Sequence, residues 1–270
     1  MNMNSRRASR LVANASALLV YLFLLLPMLV VVLFSFSEKS YFTFPPEGFS
    51  LKWYQAAWES GQFGGPAIRS LVLALLSTLI ATVIAIPSAL AIRRLAPGPL
   101  RNSVEFLMLS PLIVPALIIG IALLYAFNRF YMLDTFAALL ISHVLIVFPF
   151  MFRALLTSVL GLSQALLDAS EMLGAEPRQT FREVVLPALV PGIVSGAIFA
   201  IIISLDQFTV SLFVTQSEQI VLPVAIYKYL YDVNDPVVAA VSTVLVVFGL
   251  LVAFVIDRMG WLRHLGGASS

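Results

Sequence analysis

The sequence predicts an all-α integral membrane protein with six transmembrane helices, and three observations carry that prediction. Of 270 residues, 60% are hydrophobic and 11% charged, and mean hydropathy is +0.99; a soluble domain carries about a quarter charged residues. Six apolar stretches, at residues 11–34, 67–92, 103–127, 135–159, 188–213 and 236–256, each suffice at about 1.5 Å per residue to cross roughly 30 Å of hydrocarbon. Lysine and arginine are divided unevenly among the segments between them. Together these features predict one membrane domain over residues 11–258, with short tails at 1–10 and 259–270.

The first stretch follows Arg6, Arg7 and Arg10, as a secretion signal would. Its apolar run is longer than the roughly 7–15 residues of such signals, and the following FSFSEKS offers no small-residue cleavage site. It reads as an uncleaved anchor. With the N-terminus inside, Arg6, Arg7, Arg10, Arg93, Arg94, Arg101, Arg153, Arg178, Arg182, Arg258 and Arg263 fall on the cytoplasmic side, eleven of the sixteen basic residues. Lys39, Lys52, Arg69, Arg129 and Lys228 fall outside. Cytoplasmic loops retain positive charge, so both termini are expected in the cytoplasm. Between the spans, 35–66 and 214–235 are long outer segments, 128–134 and 93–102 are short, and 160–187 is a long inner loop.

In the first outer segment Pro45, Pro46 and Gly48 punctuate the chain, and Trp53, Tyr54 and Trp58 fit one side of a short helix. Rings at this depth anchor to lipid headgroups; a docking surface is the other reading. Pro111 and Pro115 in the third stretch remove two helical donors and predict a kink there, as does Pro149 in the fourth. Such kinks are more often architectural than gating.

Several chemistries are excluded. Cysteine is absent and the two histidines are His143 and His264, so neither a disulfide framework nor a structural zinc site is expected. A net charge of +2 makes no case for nucleic acid. GLSQALLDASEMLG lacks the Lys-Ser/Thr ending of a phosphate loop, and no H-E-x-x-H is present. The chain is therefore expected to have no catalytic constellation, to be no enzyme and to bind no metal. His143 either faces a pathway or hydrogen-bonds across helices.

The inner loop, LGLSQALLDASEMLGAEPRQTFREVVLP, places apolar Leu162, Leu166, Ala169 and Leu173 at near-helical spacing. Ser163 is suited to start a short amphipathic helix and Gly174 to stop it. A second short helix is expected from Pro177 through Phe181 to Pro187, where the fifth span begins. The run DASEMLG (168–174), nine residues, then VVLP (184–187) resembles the EAA loop of bacterial ABC importer permeases. That pattern reads Glu-Ala-Ala, three residues, Gly, nine residues, Ile-x-Leu-Pro. This chain departs from it at Asp168, Ser170 and Val184.

The resemblance implies the type I ABC importer permease fold in a bacterial inner membrane. It also implies that Leu166, Asp168, Ala169, Ser170, Glu171, Leu173, Gly174, Leu186 and Pro187 couple the chain to a separate ATPase. The implied partners are a second homologous permease, two cytoplasmic ABC ATPases that bind ATP and Mg, an extracytoplasmic solute-binding protein and membrane lipid. No cofactor is expected on this chain itself.

The fifth stretch holds Asp206 in an otherwise apolar run. An ionisable group there costs several kcal/mol unless solvated or paired, which makes it a functional-site candidate. A local helix break, or hydrogen bonding aided by Ser204 and Gln207, is the alternative. SLDQFTVSLFVT (204–215), with LPVAIY (222–227) beyond, resembles the second permease of spermidine/putrescine-type importers, where the segment usually reads Ser-Leu/Met-Asp-Asp. Gln207 stands in place of the second acid.

The implied function is to form half of the pathway for a small polar organic solute, a polyamine-like cation first. Amines, amino-acid derivatives, opines and aminophosphonates remain open. Ser204, Asp206 and Gln207 are the candidate pathway residues. An ion-coupled secondary transporter is the alternative class; it would carry more intramembrane charge and no ATPase-docking loop.

Overall fold

The computed structural model describes residues 3–258 apart from 42–44, 46 and 234, with the side chains of 3–12, 252–253 and 255–258 also left out. Pro46, Arg263, His264 and the expected tail 259–270 lie outside the described residues, as do the side chains of Arg6, Arg7, Arg10 and Arg258. Every regular element described is helical: α1 (Met3–Ser35), α2 (Lys52–Glu59), α3 (Gly64–Arg94), α4 (Pro99–Leu109), α5 (Ala116–Arg129), α6 (Phe136–Gly161), α7 (Gln164–Met172), α8 (Pro177–Thr180), α9 (Leu186–Asp206), α10 (Thr209–Val214), α11 (Leu222–Asp232) and α12 (Val237–Arg258).

Among the described residues, four helical runs are long and apolar enough to cross a membrane: Ala13–Ser35, Gly64–Arg94, Phe136–Gly161 and Pro177–Asp206. The third expected span is two helices rather than one. Pro99–Leu112 and Ala116–Arg129 meet at 90°, because Pro111 lacks a helical N–H and Pro115 starts a new helix from extended backbone. Pro149, by contrast, sits inside the unbroken α6. The sixth expected span falls on α12, Val237–Arg258. The fifth ends at Asp206 rather than 213, since Gln207 leaves helical geometry at ψ 85°.

The chain divides into two compact units, the first built from residues 1–63 and 226–270 and the second from Gly64–Ala225. In the first unit α12 packs on α1 and α2. The apolar window of α1 is 0% buried within the chain, a helix surface that needs lipid or another subunit around it. Of the aromatics Trp53, Tyr54 and Trp58, two face the chain. The Trp53 indole N–H donates to the Ser37 carbonyl at 2.6 Å, and the Tyr54 hydroxyl meets Ser35 Oγ at 2.7 Å. Trp58 remains 87% exposed.

In the second unit α6 packs between α3 and α9. Small residues let the backbones approach. Ala74, Ala81, Ala85 and Ala89 form the buried stripe of α3. On α9, Gly192 and Gly196 lie four apart against α6, where a Cβ would come within 2.4 Å of Ser158 Oγ and 2.7 Å of Met151 Sδ respectively. The unit has two apolar layers: one around Ala81, Ala85, Met151, Phe152, Leu155 and Leu189, the other around Leu73, Ile119, Leu139, Val210 and Val214. Both ends of α3 hold loops. Arg69 donates to the Ile220 carbonyl at 2.6 Å, and Arg93 to the Val159 carbonyl at 2.8 Å and Gln164 Oε1 at 3.2 Å.

Candidate functional site

The loop over residues 160–187 folds as two short helices about a tight turn. Ser163 occupies the N-cap position of α7 in extended backbone, without a capping bond from its side chain. At the other end Gly174 adopts φ +76°. Its N–H donates to the Glu171 carbonyl at 2.9 Å, and the Ala175 N–H to the Ser170 carbonyl at 3.1 Å. This pair of bonds is the Schellman closure, which satisfies the last carbonyls of the helix. A Cβ on Gly174 would meet nothing within 4 Å, so the demand for glycine is conformational alone. Beyond α8, residues Phe181–Val185 form a π-helical turn that leads into α9, with Pro187 in its first turn. Pro187 is exposed and Leu186 half-buried.

The two faces of α7 differ. Leu167 packs on the core, and Ser170 is buried, donating to the Leu167 carbonyl and meeting Thr180 Oγ1 at 3.1 Å. That contact ties α7 to α8 and gives the hydroxyl at 170 a role that alanine would not fill. The other face is apolar yet open: Leu166 is 55%, Met172 83% and Leu173 87% exposed, with Ala169 half-buried beside them. Asp168 and Glu171 are exposed too, and Asp168 Oδ1 accepts from the Gln164 amide at 2.9 Å. Leu162, counted in the apolar stripe from spacing, is buried and precedes the helix. Met172 escapes the sequence pattern because that stripe was phased from Leu162. A cavity of about 430 Å³ opens beside the loop, with Leu90, Arg93, Leu167, Glu171, Phe181 and Val185 in its wall.

The three candidate pathway residues cluster where α9 stops but do not share one environment. Ser204 is 3% exposed, and its Oγ lies 2.7 Å from His143 Nδ1 and 3.4 Å from Ser77 Oγ. Asp206, the last residue of α9, is exposed, and Gln207 beyond it is half-buried. His143 takes the cross-helix role of its two readings.

At the other end of the bundle, Asp134 is an organising residue without a sequence signal. Its carboxylate accepts from the backbone N–H groups of Gln216, Ser217, Glu218 and Gln219 at 2.9–3.1 Å. Its own N–H donates to the Val214 carbonyl at 3.0 Å. Burial by itself would raise its pKa, but the four backbone donors outweigh it and hold the carboxyl well below the usual carboxylate range.

Residues 81–260 match the family model described as "Binding-protein-dependent transport system inner membrane component". The chain belongs to this family. It is thus a multi-pass inner-membrane permease subunit of an ABC importer, a transport component rather than an enzyme, and the secondary-transporter alternative falls away. The spermidine/putrescine transport system permease protein PotC of Haemophilus influenzae is 27% identical over 237 residues, 88% of this chain and 91% of that protein. The molybdenum transport system permease protein ModB of Mycobacterium tuberculosis is 33% identical over 201 residues, 68% of this chain and 75% of that protein. In structure, the permease resembles a chain of a bacterial ABC transporter involved in import of the acidic polysaccharide alginate. The TM-score is 0.77 at 16% identity, covering 96% of this chain and 98% of that one, which establishes the shared fold.

Proposed function

We propose that this permease forms half of a pathway for a small polyamine-like cation, paired with a second homologous permease. The observation that carries the coupling part is the open apolar face of α7, Leu166, Met172 and Leu173, held outward by the Gly174 turn. Apolar side chains this exposed on a polar loop are stable in water only at a cost, which burial in a partner's groove removes. The partner is an ABC ATPase, present in two copies per importer, which binds ATP and Mg; Asp168, Ala169, Ser170, Glu171, Leu186 and Pro187 complete or support the contact. This orientation puts the loop and both chain termini in the cytoplasm. A solute-binding protein docks on the outer loops, and lipid surrounds α1.

For the solute, support comes from an exposed carboxylate at the end of an apolar helix and from the spermidine/putrescine relative. Asp206 and Gln207 face the passing solute, and Ser204 supports them from behind. The absence of a second carboxylate at 207 favours weak transit over tight holding, leaving selection to the binding protein. The test is uptake by the four-component importer in proteoliposomes with the matching binding protein. Spermidine or putrescine uptake that needs ATP supports the proposal; ATP-driven uptake of an oxyanion and of no amine removes the cation.

A further inference from the structure

We propose that His143 is a positioning residue for transport, one that holds the break between α9 and α10 at a single geometry. The break, at Gln207 and Phe208, contains neither glycine nor proline, so the local sequence does not require it and tertiary contacts must hold it. One side chain bridges it. His143, on α6 and 1% exposed, places Nδ1 2.7 Å from Ser204 Oγ on α9 and Nε2 3.0 Å from Ser211 Oγ on α10.

The hydrogen-bond directions assign the ring. Ser211 donates its hydroxyl proton to the Gln207 carbonyl at 2.6 Å, leaving its oxygen to accept from Nε2–H. In the neutral ring Nδ1 then accepts from the Ser204 hydroxyl. Each nitrogen has one role, and the two roles fall on opposite sides of the break. A carbonyl in the break is satisfied by the same serine that the ring holds.

The position in the bundle adds a second argument. Along α3, α6 and the α9–α10 pair, one apolar layer contains Ala81, Val147 and Ala200 and the other Leu73, Leu139 and Val210. Ser77, His143 and Ser204 lie between them, and Ser211 joins them through the ring, making a buried polar seam. Apolar layers are held by close packing that tolerates little sliding. A polar seam with directional bonds is therefore where the register of one layer against the other is specified, and Asp206 and Gln207 stand at that level. Resting on the proposed pathway role of those two residues, the ring decides how they are presented.

The experiment uses the assembled importer and the natural absence of cysteine. Gln207→Cys is introduced alone, with His143→Leu, and with His143→Gln, which keeps a donor near Nε2. Labelling by a small cationic thiol reagent is followed, with Lys52→Cys as the reference. The expected result is that His143→Leu changes the labelling rate at 207 by about fivefold or more, the scale of one buried hydrogen bond, and leaves 52 unchanged. Solute turnover should drop while ATP hydrolysis stimulated by the binding protein persists, and His143→Gln should recover part of both.

Ser211→Ala, which cuts the bridge on one side and keeps the ring, should shift labelling in the same direction if His143→Leu fails to assemble. Unchanged labelling at 207 in an assembled His143→Leu or Ser211→Ala importer overturns the proposal. Asp206→Asn separates the two ideas. Normal transport there with altered 207 labelling defeats the pathway role and keeps the clamp, whereas slowed transport with unaltered labelling does the reverse.

Discussion

Asp134 collects four backbone N–H groups from a segment 82–85 residues away, and its effect should be visible in stability before transport. Asp134→Asn keeps one acceptor but turns an amide toward those donors. The expected loss is roughly 1–2 kcal/mol at neutral pH, discounted for partial exposure, read as a lower unfolding midpoint in detergent. Because the folded-state pKa is depressed below the ordinary aspartate value of 3.8, the carboxylate's contribution is complete above about pH 4. It fades as pH falls through the lower folded value, so wild type and variant should converge in acid. Asp206 belongs to transport instead. Asp206 is exposed, and an ion pair at about 4 Å in water is worth about 1 kcal/mol, so Asp206→Asn should slow uptake of a cation by about fivefold. Complex assembly and binding-protein affinity should stay unchanged; normal uptake would make the residue structural. The Asp134 cradle was not legible in sequence, and cross-helix bonding by His143 was legible only as one of two readings, without its partners, since those are 61–85 residues distant and serine and backbone amides carry no pattern. Gly174 was legible, because a positive φ after a helical stripe leaves glycine as the ready choice.

Among the elements, the α7 turn and the face of α7 are separable by mutation. Gly174→Val puts a β-branched residue at φ +76°, an outlier conformation. Gly174→Asn places there a residue that tolerates it. Transport should therefore be lost in the first and largely kept in the second, with both permeases inserted, and ATPase co-purification tracking transport. Leu173→Ser leaves the fold untouched, since the side chain is 87% exposed. It should weaken ATPase association by about tenfold to a hundredfold, as expected from failing to bury one leucine at about 1.5–3 kcal/mol. Equal co-purification of Leu173→Ser and wild type would mean that this face is not the contact. Hydropathy marks where the chain is apolar, but it is blind to how a stretch is divided. The paired prolines at 111 and 115 announced a bend without its 90° size, and the break at 207 carries no Gly or Pro to announce it. The bridge that maintains it comes from α6, beyond the reach of a local window.

At the scale of the whole molecule, the cysteine-free background makes orientation measurable. A cysteine at Lys52 should react with a membrane-impermeant thiol reagent in intact cells, and one at Arg178 only after the membrane is opened; the opposite pattern would invert the topology. The arginine asymmetry is a whole-chain signal of this kind, and the small-residue stripes of α3 and α9 show how such a chain closes without large buried side chains at each contact. The helical run Pro177–Asp206 crosses from the turn beside α7 to the polar seam in 30 residues, its π-helical segment included. At 1.5 Å per residue that is about 45 Å, with Gly192 and Gly196, pressed against α6, about 25 Å from the foot and about 18 Å from the tip. If the run tilts as one body with that pair as its fulcrum, a tilt of about 5° would carry the foot by about 2 Å and the tip by about 1.6 Å the other way. A displacement near the turn would then reach the carboxylate reversed and somewhat reduced. Moving the fulcrum, by transferring the glycine pair one turn along α9, would alter the stroke without touching either end.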